Sequence, residues 1–202
     1  MTILYALDLL GTFAFAVSGA LAGVRKKLDL YGVTFLAIVT AVGGGTLRDT
    51  MLGRVPPFVF KDSNYLFLSI GAAMLVILFH SHVKRSYNLL VVMDALGLGL
   101  FNVMGINIAL SSGVGYVGSM IFGVMTGTVG GMIRDVLINA TPLVLTREVY
   151  ASACIIGGAL YCTLHHFGVD QSLNAAVSAL LVFAVRMITL KLEFHLPRAG
   201  ER

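Results

Sequence analysis

Among the charged residues inside stretches otherwise apolar enough for a membrane are Asp8, Arg48, Asp49, Asp94, Arg134 and Asp135. Four of them form two Arg-Asp dipeptides, each about a turn after a run of glycines, in GGGTLRD at 43–49 and VGGMIRD at 129–135. A charge inside hydrocarbon is costly unless it is paired or faces water, so such residues mark pairing sites or aqueous paths. The chemistry open to them is electrostatic: an Asp set against an Arg fixes the field through which a small charged solute passes. Catalysis is not indicated, because there is no Ser/His/Asp set or intramembrane pair of catalytic carboxylates, and the glycine motif lacks the lysine of a phosphate loop. His80 and His82, like His165 and His166, flank helix ends without Cys or carboxylate at metal-ligand spacing. No enzyme, cofactor or metal site is expected.

The elements that must carry these charges are membrane helices. The chain has 202 residues, 57% hydrophobic and only 12% charged, with a mean hydropathy of +0.90, so most of its length cannot face water. Runs of roughly 18 residues or more, enough to cross a ~30 Å hydrocarbon core, fall near 3–23, 32–52, 64–81, 89–110, 115–138, 149–166 and 173–192. No basic region precedes the first run and Asp8 interrupts it, so it reads as a retained helix rather than a cleaved signal. Without Trp, the interfacial belt must use Tyr5, Tyr31, Tyr65 and Tyr87.

Seven spans put the termini on opposite sides. Arg25, Lys26, Lys27, Lys84, Arg85, Arg147, Lys191, Arg198 and Arg202 fall on one side, against Arg54 and Lys61 on the other. The positive-inside bias predicts an inner-membrane protein with its C-terminus cytoplasmic and its N-terminus outside. The pI near 9.2 reflects this asymmetry and contact with anionic lipid, for which Arg25, Lys26 and Lys27 are candidates, rather than nucleic-acid binding.

The two glycine motifs are 86 residues apart. Holding that offset without a gap from Asp8 to His80 pairs Asp8 with Asp94, Gly11 with Gly97, Phe15 with Phe101, Gly19 with Gly105, Thr40 with Thr126, Pro56 with Pro142 and Gly71 with Gly157, and 18 of 73 pairs are identical. The chain is read as a duplication: a first three-helix repeat over 1–86, a second over 87–170, and a lone seventh helix with a short tail over 171–202. Three spans per copy make the second copy inverted, the plan that places a pathway at the repeat interface. The fold class is an all-α polytopic membrane protein.

Consecutive glycines weaken a helix, and Gly43, Gly44, Gly45, Gly130 and Gly131 predict a bend near mid-span that frees carbonyls toward a polar path. The recurring small residues also allow a second helix to approach closely. Antiparallel neighbours bring Asp8 level with Arg48 and Asp94 level with Arg134, which predicts one Asp–Arg contact in each repeat. Ser18, Thr40, Asn102, Asn107, Thr126 and Thr128 either join helices by hydrogen bonds or offer oxygens to a cation. Pro56 and Pro142 stop helices, Cys154 and Cys162 are core residues, and Arg186 in the seventh span requires a carboxylate, a wet surface or a subunit contact.

The duplicated three-helix unit, GGGTLRD and VGGMIRD, the proline after each and the unpaired seventh helix together resemble the prokaryotic branch of the trimeric intracellular cation (TRIC) channels. The repeat is also similar to the domain labelled a glycine transporter, or UPF0126. The resemblance runs from Tyr5 to Leu192. It implies a homotrimer with one pore per protomer between two inverted triple-helix bundles, pinched at kinks that carry onto Gly43, Gly44, Gly45, Gly130 and Gly131. The flanking charges carry onto Arg48, Asp49, Arg134 and Asp135, and the implied permeant ions are K⁺ and Na⁺. Animal members have a longer charged tail than LPRAGER, and their phosphoinositide control is not carried over. A secondary transporter of glycine or another small zwitterion is the alternative; its strong charges would sit near the midplane, whereas here they lie toward the two mouths.

Overall fold

Every one of the seven apolar runs carries a helix. The computed structural model describes residues 3–79, 87–146 and 149–192. Over them the helices are α1 (Ile3–Arg25), α2 (Leu30–Met51), α3 (Phe58–Lys61), α4 (Asn64–Leu78), α5 (Tyr87–Ser111), α6 (Tyr116–Leu137), α7 (Leu143–Thr146), α8 (Val149–His166) and α9 (Gln171–Lys191). Hydrocarbon offers backbone groups no partner, so an apolar chain satisfies them within helices. Over these residues α1, α2, α5, α6 and α9 contain stretches of 21–23 residues long and apolar enough to cross a membrane, while α4 is a shorter apolar helix of 15. The chain is a multi-pass, all-helical membrane protein.

Local signals set the helix ends. Asp29 caps α2, its Oδ1 accepting from the Gly32 amide at 2.7 Å, and Asp170 caps α9 by accepting from the Ser172 and Leu173 amides. Gly53 and Asn139, equivalent across the 86-residue offset, both take the left-handed conformation that closes α2 and α6, and Lys27 and Gly113 do the same after α1 and α5.

Helix α1 packs on α2, α4 and α5, α5 on α6, and α2 on α6. The α2–α6 contact is reciprocal. A Cβ at Gly44 would overlap the Thr126 carbonyl oxygen, and a Cβ at Gly130 would overlap the Thr40 carbonyl oxygen, each residue facing the counterpart of its partner's contact. The crossing is therefore antiparallel, and Arg48 and Arg134 diverge to opposite ends of the helix pair. Phe15 and Phe101, also counterparts, meet beside it with ring centroids 5.2 Å apart. Lipid provides no hydrophobic drive between helices, so association depends on such close packing. Weak Cα–H···O contacts add on the order of 0.5–1 kcal/mol each.

Helix α2 is continuous in its hydrogen bonding through Gly43, Gly44 and Gly45, and α6 through Gly130 and Gly131, and Gly44 and Gly130 permit the crossing. Two expectations change. The ungapped offset fails after the motifs. The loop between α6 and α7 is one residue shorter than that between α2 and α3, which sets α7 and α8 at an offset of 85 from α3 and α4 and makes Pro57, not Pro56, the equivalent of Pro142. Tyr65, assigned to the interfacial belt, is buried, whereas Tyr31 is exposed as expected.

Helix α9 lies against α5 and α8. Gly99 admits it, since a Cβ there would stand 2.6 Å from the Ala179 carbonyl oxygen; the first-repeat counterpart of Gly99 is Phe13. His80, His82, Lys84, Arg85, Arg147, Glu148, Arg198 and Arg202 lie outside the described residues, as does the side chain of Tyr87.

Overpacking a tight contact costs about 1–3 kcal/mol and more against rigid backbone. Gly44→Ala and Gly130→Ala should each lower the thermal midpoint in detergent by several degrees. Gly43→Ala, whose Cβ would press on the flexible tip of Ile133 at 3.0 Å and reach Gly130 Cα at 4.0 Å, an ordinary contact distance, should be nearly neutral; equal losses at all three positions would refute the crossing.

Candidate functional site

The six charges form two layers, one at each end of the α2–α6 pair. In the second layer Arg134, 1% exposed, donates from Nε to Asp135 Oδ1 at 2.8 Å. Its Nη1 donates to Asp94 Oδ1 at 2.6 Å and to Ser18 Oγ at 2.5 Å. Tyr150 Oη donates to Asp94 Oδ2 at 2.8 Å, and the Leu143 amide at the start of α7 donates to Asp135 Oδ2 at 3.0 Å. Both oxygens of each carboxylate accept a hydrogen bond, the condition under which buried ions are tolerated. Gly131 leaves room for this: a Cβ there would come within 3.3 Å of Tyr150 Oη and 3.5 Å of Asp94 Oδ1.

The first layer uses the same parts differently. Arg48, also buried, donates from Nε to Asp49 Oδ1 at 2.9 Å, and its Nη2 stands 2.8 Å from the same oxygen. The Phe58 amide at the start of α3 donates to Asp49 Oδ2 at 2.9 Å, matching Leu143 and Asp135. The Arg48 guanidinium lies over the Phe58 ring, 5.5 Å from its centroid, and Gly45 makes space for that ring. Arg54, half-exposed, reaches Asp49 at 3.9 Å; its counterpart is Ala140.

Asp8 is half-buried, accepts from Tyr65 Oη at 2.6 Å, and makes no ion pair with Arg48 among the described residues. The expected Asp–Arg contact thus exists for Asp94–Arg134 and not for Asp8–Arg48. At the same end Tyr5 Oη donates to Asp62 Oδ2 at 2.5 Å, which holds the Asp62 carboxyl below its ordinary range.

Of the other predicted polar residues, Thr40 and Thr126 bond within their own helices, donating to the carbonyls of Leu36 and Phe122, both at 2.6 Å, while the asparagines join helices. Asn102 Nδ2 donates to the Cys154 carbonyl at 2.8 Å, while its Oδ1 has no donor among the described residues. Asn107 Oδ1 accepts from Tyr161 at 3.1 Å and from Gln171. Thr128 is buried, as are Cys154 and Cys162. Lys26 and Lys27 are exposed beyond α1.

Sequence reasoning missed Tyr65 and Tyr150 as a pair. They complete equivalent carboxylates, but at an offset of 85, so the ungapped repeat set Tyr65 against Ala151. A one-residue gap just before Pro57 would have paired them.

An all-helical membrane bundle with a buried Arg–Asp layer at each end of one glycine-paired crossing defines the class: a polytopic protein whose charges sit at the ends of an internal helix pair. The chain belongs to the family described as "Glycine transporter", whose model matches residues 5–81 and 91–166. It is 41% identical over 97% of its length to a UPF0126 membrane protein of Vibrio cholerae, of which 82% is covered. It is also 37% identical to the UPF0126 inner membrane protein YadS of Escherichia coli, covering 96% of this chain and 95% of that one. Among solved structures it matches a TRIC trimeric intracellular cation channel orthologue from Rhodobacter sphaeroides, with a TM-score of 0.92 and 36% identity over 96% of this chain and 100% of that one. Family and fold are those of membrane and channel proteins rather than of known enzymes.

Leaving a buried charged acceptor without its donor costs about 1.5–3 kcal/mol. Tyr150→Phe should cost about 2 kcal/mol in unfolding measurements, and Tyr65→Phe, where water can reach Asp8, clearly less. Equal costs would show that the layers are equally closed.

Proposed function

We propose that the protein is a monovalent cation channel, permeable to K⁺ and also to Na⁺, with one path in each protomer of a homotrimer. The path runs between two inverted three-helix repeats, over 1–86 and 87–170, and is constricted at glycine kinks, at Gly43, Gly44 and Gly45 of α2 and at Gly130 and Gly131 of α6. Seven spans with the N-terminus outside put Asp8, Arg48 and Asp49 at the outer mouth and Asp94, Arg134 and Asp135 at the cytoplasmic mouth. Arg25, Lys26 and Lys27 then meet anionic lipid at the cytoplasmic face.

The observation that carries this reading is the placement of buried Arg–Asp layers at both ends of the α2–α6 crossing, in a chain that matches a TRIC channel orthologue over nearly its whole length. Each arginine has carboxylate neighbours that offset its charge, which answers the difficulty of arginines beside a cation path. Thr40, Thr126, Thr128, Ser18 and Asn102 are the polar groups nearest that route. Weak selectivity among monovalent cations is the physical expectation, because no ring of filter carbonyls is apparent in the sequence. Transport of glycine or a similar zwitterion by alternating access is the second reading, favoured by the description of the family model.

Purified protein in planar bilayers under a KCl gradient should give discrete current steps reversing near the K⁺ potential. Asp8→Asn should lower unit conductance about twofold at low ionic strength and much less at about 1 M salt, where the Debye length shrinks to roughly 3 Å. Silent bilayers with saturable glycine uptake into proteoliposomes would replace the channel by the transporter.

A further inference from the structure

The second charged layer has a member from outside the repeats. Arg186, in α9, is 2% exposed and places its guanidinium 4.6 Å from the centroid of the Tyr150 ring. That tyrosine is itself 1% exposed and donates to Asp94 Oδ2, while Asp94 Oδ1 binds Arg134. A chain of contacts thus runs from the seventh helix to the ion pair: Arg186, Tyr150, Asp94, Arg134.

Charge makes the same point. Asp94 and Asp135 bring two negative charges to a site where Arg134 supplies one positive charge. Arg186, one aromatic ring away, adds a second positive charge beside these carboxylates. In a medium of low dielectric an uncompensated charge is expensive, and a guanidinium over a desolvated aromatic face is held more strongly than at a surface.

Among the described residues nothing similar acts on the first repeat. Tyr65 meets Phe58 and Tyr5 edge-on rather than a cation, and Phe13 occupies the counterpart of Gly99, where α9 approaches α5.

We infer that Arg186 is a positioning residue by which the seventh helix clamps Tyr150 onto Asp94 and so holds the Asp94–Arg134 pair closed. The inference rests on the channel reading for its effect on current, but not for the clamp itself. Loosening α9 releases Tyr150, frees one oxygen of Asp94 and moves one positive charge away from the two carboxylates. Both changes favour a cation entering between Asp94 and Arg134. The seventh helix is then the control arm of one mouth.

The test compares wild type, Arg186→Gln, Arg186→Lys, Tyr150→Phe and the Arg186→Gln/Tyr150→Phe double variant in two assays. In planar bilayers with KCl, Arg186→Gln should raise open probability at least threefold, Arg186→Lys should stay nearer wild type, and adding Tyr150→Phe to Arg186→Gln should change little. Unchanged open probability in Arg186→Gln, or effects that multiply in the double variant, would overturn the gating role. In detergent, the melting-temperature losses of the single variants should be clearly non-additive in the double variant. Additive losses would overturn the clamp whether or not any current is seen. A silent wild type with non-additive losses would overturn the channel reading and leave the clamp standing.

Discussion

The contact on which the rest depends is the crossing of α2 and α6, where the backbone of Thr126 rests on Gly44 and that of Thr40 on Gly130. No side chain fits at either glycine. Because lipid cannot drive helices together as water does, this proximity supplies dispersion and Cα–H···O contacts that a bulkier pair would forfeit. It also sets direction: an antiparallel crossing sends the two Arg-Asp dipeptides to opposite ends. The glycines on the neighbouring helices follow the same rule, Gly19 of α1 lying against Thr40 and Gly105 of α5 against Thr126.

From that shared plan the two ends diverge. Arg134 is held by two carboxylates and the Ser18 hydroxyl; Arg48 is held by one neighbouring carboxylate and an aromatic face. The reasons are individual substitutions. Ser18 reaches across from the first repeat to Arg134, and its own counterpart is Met104. Arg54 can shift toward Asp49 from a half-exposed position, while Ala140 at the matching place cannot. Asp8 lies in the first part of α1, half-buried, and has a tyrosine rather than an arginine as its hydrogen-bond partner. One layer is a closed network, while in the other Asp8 and Arg54 are only partly buried.

Much of this was legible in the residues. Apolar run length located every long helix, and the ungapped offset paired Gly44 with Gly130 and Thr40 with Thr126, residues that meet across the crossing. The Asp94–Arg134 contact followed from antiparallel neighbours alone. What failed did so for physical reasons. Tyr65 and Tyr150 escaped notice because a one-residue difference in loop length hides behind identical prolines, and a tyrosine in an apolar run reads as an interfacial residue until its hydroxyl partner is seen. Arg186 was legible as a buried charge, but no spacing rule connects α9 to a ring on α8.

The central claim is that the halves share one packing plan and differ in electrostatic closure, and double-mutant cycles on thermal unfolding test it most directly. Asp94→Asn with Arg134→Gln should show a coupling of about 2 kcal/mol or more, and Asp8→Asn with Arg48→Gln one below about 0.5 kcal/mol. Couplings of equal size would contradict the account, because they would place Asp8 and Arg48 in a closed pair like that of Asp94 and Arg134.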